Sequence, residues 1–363
     1  MCNNISLKDV CISMNLARNL LTFSARRVLQ SKCAACLTLQ KFQVSTGSGC
    51  SQTGASKLKV KRFTPRRAVL YIPGSDERKL KKIQILEVDC AVMDCEDGVA
   101  ANRKVEARET IRRMLDTLDF GHTECVVRVN AVSSGLMEED LHVILQADNL
   151  PQTIMIPKVN NVSEIASITQ YIQAALKDRT LPHKISLVLF VESALGLINL
   201  REICERGTEL SLRSNIYNVD GLVFGSDDFC ADIGAKRSTE GSEVLYARQK
   251  FVTIAKAFRL QAIDMVHIDY KDQESLREQS VSGANMGFTG KQVIHPSQIP
   301  IVQEAFSPSE EHIDWAKGLI KAFEDHQLSG TGAFTYRGHM IDMPLLLQAK
   351  NVIQLAEAIH AVR

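Results

Sequence analysis

From Arg66 onward the chain alternates short, β-branched apolar runs with longer segments whose apolar residues recur at helical spacing. The runs are AVLYIPG (68–74), CAVMDCED (90–97), CVVRVN (125–130), TIMIPKV (153–159), ISLVLFVES (185–193), DGLVFGSDD (220–228), AIDMVHID (262–269) and KQVIHP (291–296), eight in all. Near-continuous apolar strands imply cover on both faces, as in a parallel sheet under helices; half-exposed strands would alternate in polarity. Eight βα units in roughly 240 residues predict an α/β fold, a TIM (β/α)8 barrel, in preference to an open doubly wound sheet. Helix starts are read at Ser75 before Asp76 and Glu77, at Asn161 three residues before Glu164, and at Ser242 before EVLYARQKF.

Past the eighth run, SPSEEHIDWAKGLIKAFEDHQ (307–327) is followed by the Gly-rich LSGTGAFTYRGHMIDMP (328–344), read as a hinge, and then by an apolar helix to Val362. That last helix has to cover its apolar side on this barrel or on a neighbour's. The chain therefore divides into residues 1–62, a barrel over 63–306, and a C-terminal helical lid extension over 307–363.

Charge changes the picture only at the N-terminus. The whole chain balances 43 basic against 42 acidic residues, which gives no bulk field for nucleic acid or membrane and favours a small-molecule substrate or a protein partner. Up to Arg67, however, twelve Lys or Arg face a single acid, Asp9, amid many Ser, Thr and Cys. Such Arg-rich, acid-poor composition is that of a mitochondrial transit peptide, with a disordered basic tail as the alternative. Residues 1–62 are accordingly set apart as presequence and linker. Half of the ten cysteines fall there, including the isolated pair Cys33 and Cys36; the other five lie in or beside apolar runs and read as reduced core residues.

In a barrel, catalytic groups gather where the strands end, because all eight C-termini open on one face. The strand ends here supply Asp94, Glu96, Asp97, Arg128, Asn130, Lys158, Glu192, Asp227, Asp228, Asp264, Asp269 and His295. Acids dominate. Glu192 and Asp228 end the most apolar strands, where an unpaired carboxylate is costly and a divalent ion would offset it. Oxygen ligands without a Cys/His set point to Mg²⁺ or Mn²⁺; salt bridges to Arg128 or Lys158 are the competing reading. Arg128 is the natural partner for a substrate carboxylate, or else for Glu96 or Asp97. Arg78, Lys79, Lys81 and Lys82 after the first strand can hold the phosphates of a CoA or nucleotide tail, although a solvated helix face is the plainer account, preferred for Lys81. Lys291 and His295 flank the last strand, where a lone His before Pro is more often structural. Asp342, between apolar residues on a Gly-hinged tail, is a candidate general acid/base on a movable lid.

The motifs LYIPGSDERKLKK, DCEDGVAANRKVEAR, VVRVN, IPKV, FVESALGL, FGSDDF, AIDMVHID and GFTGKQVIHPSQI occur in one order over about residues 66–306. Together they resemble the citrate lyase β-subunit and malyl-CoA lyase family, HpcH/HpaI aldolase-like enzymes that use Mg²⁺ on CoA thioesters. The resemblance implies Glu192 and Asp228 as metal ligands and Arg128 as the group that binds substrate carboxylate and polarises the thioester. It places Tyr71, Arg78, Lys82 and His295 near the CoA. It also makes Asp342 an acid that enters the site of an adjacent protomer, and so implies a homo-oligomer, with a homotrimer favoured. Ser226-Asp227 before Asp228 departs from the family's Gly or Ala before a Glu, although the charge count is kept. The reaction implied is reversible Claisen-type cleavage of (3S)-citramalyl-CoA to acetyl-CoA and pyruvate in the mitochondrial matrix. Malate synthase, β-methylmalate synthase and malyl-CoA thioesterase side activities are implied as well. A pyruvate-class aldolase acting on free hydroxy acids and a non-catalytic barrel scaffold are the alternatives.

Overall fold

The computed structural model describes residues 64–177, 179–328 and 334–362, so the basic segment 1–62 read as a transit peptide lies outside the described residues. Eight parallel strands close into a barrel in sequence order: β1 (Ala68–Pro73), β2 (Cys90–Asp94), β3 (Glu124–Arg128), β4 (Thr153–Ile156), β5 (Ile185–Val191), β6 (Tyr217–Phe224), β7 (Gln261–Asp264) and β8 (Gly290–Val293). β8 pairs back onto β1 through Ala68↔Lys291 and Val69↔Gln292. Each strand stops before its apolar run does, and the leftover polar residues form the loops of the mouth. Two buried layers result. Val69, Val92, Val126, Met155, Val188, Phe190, Val223 and Ile263 fill the barrel, while a larger set packs between strands and helices.

Strand parity decides what faces where. Ile263 points inward, so its neighbour Asp264 points outward and is wholly buried beneath the helices. There it takes two hydrogen bonds from Arg248, at 3.0 and 2.7 Å, and stands 3.8 Å from Lys291 Nζ. Asp264 and Lys291 thus belong to a structural ion cluster behind the barrel wall. Burial pushes the Lys291 ammonium down to about 8 despite Asp264, because Arg248 and Arg237 add like charge.

The closed end of the barrel is plugged by Arg66, which is buried. Its guanidinium reaches both oxygens of Glu124 at 2.6 Å, Asp220 Oδ2 at 2.9 Å and Thr153 Oγ1 at 3.1 Å. Removing one partner of such a set strands the others, so Arg66→Met is expected to destabilise the protein by about 3–5 kcal/mol in denaturant unfolding. A loss under about 1 kcal/mol would contradict this reading.

Three local expectations change. The first helical turn, Glu77–Leu80, is capped by Asp76, which accepts from Lys79 N, and not by Ser75. The Asn161–Glu164 capping box is present, whereas Ser242 opens a 3-10 turn before the helix Leu245–Ala257 without a side-chain cap. The segment read as a Gly-rich hinge carries an antiparallel hairpin, β9 (Phe334–Tyr336) with β10 (His339–Ile341). Beyond it the helix Met343–Val362 packs on the helix Glu310–Leu328, with Ala316, Leu319, Ile341, Leu346 and Ala349 as their shared core. Part of the apolar side is therefore covered within the tail, while Met343 and Leu347 stay exposed.

Candidate active site

A cavity of about 750 Å³ opens at the C-terminal ends of the strands. One side is built on Arg128. The register pairs Asp94 on β2 with Arg128 on β3, and both side chains point inward. Asp94 accepts two hydrogen bonds from the guanidinium at 2.7 Å each and two more from the amides of Glu96 and Gly98 at 2.8 Å. Arg128 Nη1 also meets Glu96 Oε2 at 2.9 Å, and the guanidinium lies 4.9 Å from the centre of the Tyr71 ring. These acids raise the Arg128 pKa against its burial, so the group stays charged and fixed in direction. Asp94, one of the strand-end acids, is thus what aims Arg128. Glu96 and Asp97 surround it as expected, and Lys104 holds their loop by donating to the carbonyls of Cys95 and Glu96 at 2.7 Å.

The opposite side is acidic. Glu192 directly follows β5 and is buried, its Oε2 accepting the Lys158 amide at 2.7 Å. Gly225 clears its path, since a Cβ there would collide with the Glu192 side chain. Burial, with Glu96 and Asp228 nearby, pushes the Glu192 carboxyl up to about 8; the Lys158 amide and Arg128 offset this only in part. Asp228 lies beyond the strand end assigned from the sequence: β6 stops at Phe224, and Asp228 is an exposed residue on the first turn of the helix Ser226–Ile233. It still lines the same cavity as Glu192.

A divalent ion fits these residues. Arg128 only partly offsets the negative charge around Glu192, the donors there are oxygens, and the buried hydroxyl of Ser226, which lines the same cavity, has no hydrogen-bond partner. Among the described residues no group of three or more His, Cys, Asp or Glu could hold an ion by itself. Two carboxylates completed by water and substrate oxygens is the arrangement Mg²⁺ favours.

The remaining expected residues divide. Lys82 and His295 line the cavity, as does Tyr71, although the Tyr71 ring is engaged by Arg128. Arg78 is exposed and not part of the lining, whereas Lys79, Lys82 and Leu86 are. His295 accepts the Ser297 amide at 3.2 Å and stacks on Tyr270 at 4.5 Å. Asp342 is exposed on the tail, where its carboxylate accepts the Leu345 amide at 3.1 Å, and within one chain it does not line the cavity.

A family model described as HpcH/HpaI aldolase/citrate lyase matches residues 67–296. The chain is 52% identical over 326 residues to a Homo sapiens protein named mitochondrial citramalyl-CoA lyase, covering 90% of this chain and 96% of that one. It is 32% identical over 299 residues to (3S)-malyl-CoA thioesterase of Cereibacter sphaeroides, covering 82% and 97% respectively. Among solved structures, protein CitE from Mycobacterium tuberculosis, in complex with magnesium, acetoacetate and coenzyme A, matches with a TM-score of 0.63 at 28% identity, over 81% of this chain and 98% of that one. Barrel, ordered strand-end motifs and relatives agree: the chain belongs to the HpcH/HpaI aldolase/citrate lyase family.

Proposed function

We propose that this chain is a Mg²⁺-dependent mitochondrial lyase that cleaves (3S)-citramalyl-CoA to acetyl-CoA and pyruvate. The observation that carries the reading is one cavity in which a guanidinium fixed by acids faces a buried carboxylate short of positive charge. The relative at 52% identity supplies the substrate, and the CitE complex with magnesium and coenzyme A supports the metal and the thioester. Rat and mouse relatives at 49% identity are also named mitochondrial, in keeping with the basic, acid-poor N-terminal composition.

Glu192 and Asp228 would hold Mg²⁺, which when bound supplies Lewis-acid charge to the carboxylate and hydroxyl oxygens of the 2-hydroxy acid. Arg128 binds the carboxylate end and stabilises negative charge as it develops on the thioester oxygen. The bond between the carbinol carbon and the CoA-bearing methylene breaks; its electron pair passes to the thioester enolate, and the hydroxyl proton is lost to water. Asp342 of an adjacent protomer returns a proton to the methylene carbon, giving acetyl-CoA. In the reverse direction Asp342 removes that proton, and glyoxylate can stand in for pyruvate in a malate synthase reaction. The thioesterase relative supports hydrolysis of malyl-CoA as a side activity. Lys79, Lys82 and His295 line the path a CoA tail would take.

Asp342→Asn is expected to lower kcat by about 10²–10⁴-fold, the usual worth of a positioned general acid, with Mg²⁺ affinity unchanged. Mixing Asp342→Asn with Glu192→Gln protomers by co-refolding should then restore part of the activity, because some sites regain both groups. No recovery would exclude a lid acid supplied by a neighbour. The substrate class is tested by comparing citramalyl-CoA with free citramalate: turnover of the thioester alone supports the reading, and equal turnover of both marks an aldolase for free acids.

A further inference from the structure

Lys158 stands just past β4, between the two sides of the site, and the proposed reaction assigns it no step. Its φ is 55°, in the left-handed region that side chains other than Gly, Asn and Asp rarely enter. Backbone conformations of this kind persist where the surroundings over-determine them, and they gather at functional sites. Here the turn is pinned: the Lys158 carbonyl accepts from Asn160 Nδ2 at 3.2 Å, and the Asn160 carbonyl accepts from Asn199 Nδ2 at 2.8 Å.

Both ends of the residue are used. Its amide donates to Glu192 Oε2 at 2.7 Å. Its ammonium reaches Glu96 Oε1 at 2.7 Å and Asp97 Oδ1 at 3.3 Å, while the other Glu96 oxygen meets Arg128 Nη1 at 2.9 Å. A continuous chain of contacts, Glu192 to Lys158 to Glu96 to Arg128, therefore links the two sides of the cavity.

We propose that Lys158 is a positioning residue that fixes the Arg128 guanidinium relative to the Glu192 carboxylate, so that one substrate carboxylate can meet Arg128 and the metal together. The proposal rests on the metal and carboxylate roles assigned above. Its two halves are separable, because the amide grips Glu192 whatever the side chain is, whereas only a cation at position 158 grips Glu96.

The test uses Lys158→Met and Lys158→Arg, each alone and with Arg128→Lys. Mn²⁺ binding is followed by electron paramagnetic resonance, and oxalate is then titrated into the Mn²⁺-loaded protein. For Lys158→Met, Mn²⁺ affinity is expected within about threefold of the parent, with oxalate affinity lower by about tenfold or more, as for loss of a group that orients a binding residue. Lys158→Arg should recover oxalate affinity to within about threefold of the parent, since it keeps the cation. In the Arg128→Lys background Lys158→Met should add less than about twofold, because the two residues act as one unit. Unchanged oxalate affinity in Lys158→Met, a parallel fall in Mn²⁺ affinity and melting temperature, or full additivity with Arg128→Lys would each overturn the proposal. Because these readouts need no turnover, a parent inactive on citramalyl-CoA would refute the reaction while leaving this result to be judged separately.

Discussion

Glu192→Gln is expected to remove at least about 10³-fold of kcat/KM, equivalent to about 4 kcal/mol, and to weaken Mg²⁺ binding to a similar extent. The amide keeps the shape and can still accept the Lys158 N–H, so the fold should survive; only the charge is lost. The pH dependence gives a second, sharper signature. In the metal-free protein the Glu192 carboxyl is raised from 4.5 to about 8, chiefly by burial. A folded state that holds a proton more tightly than the unfolded chain is stabilised by it: that stability is full below pH 4.5 and is lost as the pH rises through about 8. Metal binding needs the ionised form and must displace the proton, so apparent Mg²⁺ affinity should fall roughly tenfold per pH unit below about 8 and level off above it. Glu192→Gln should flatten this slope. Calorimetric Mg²⁺ titrations of both proteins from pH 6 to about 9 check it, and a pH-independent affinity in the parent would remove Glu192 from the metal site.

Arg128→Lys should cost about 10²–10³-fold in kcat/KM, the scale of losing one charge-stabilising donor, while leaving Mg²⁺ affinity close to that of the parent. A lysine keeps the charge but cannot form the two parallel bonds to Asp94 while also reaching Glu96, so its direction is lost. Arg128→Ala removes more than function: buried Asp94 and Glu96 are left without their cation, and unfolding free energy should drop by about 3–5 kcal/mol. The conservative variant is therefore the informative one. Steady-state kinetics with a parallel urea melt separates the two losses, and an Arg128→Lys protein with parental kcat/KM would end the role given to Arg128.

The barrel was legible in the sequence because its strands are buried on both faces and stand out as apolar runs between helical segments, and all eight runs contain strands. That same double burial hides which side chain points inward. Asp264 and Glu192 both stand at strand ends after apolar residues, yet the first faces the helices and the second the cavity. Counting alternate positions would have helped: Cys90 and Val92 face inward, so Asp94 does too, in register with Arg128. Asp228 was singled out as the end of an apolar strand, yet it sits on the first turn of a helix, because β6 stops four residues earlier at Phe224; it lines the cavity all the same. A cluster of cations gives no phase, so the sequence does not tell Arg78, which stays outside the cavity lining, from Lys79 and Lys82, which are part of it. The sequence offered Lys158 only as a salt-bridge partner for the mouth acids; its bridge from Glu192 to Glu96 was not legible, because it depends on a backbone angle and on two contacts across about 60 positions of chain.

The central claim is cleavage of one carbon–carbon bond in a CoA thioester, and product stoichiometry from citramalyl-CoA tests it most directly. Purified protein with Mg²⁺ should release acetyl-CoA and pyruvate in equal amounts, without free CoA beyond a minor hydrolytic fraction, and this should cease in Glu192→Gln. Release of free CoA and citramalate in place of acetyl-CoA and pyruvate, or equal rates in parent and Glu192→Gln, would contradict the account.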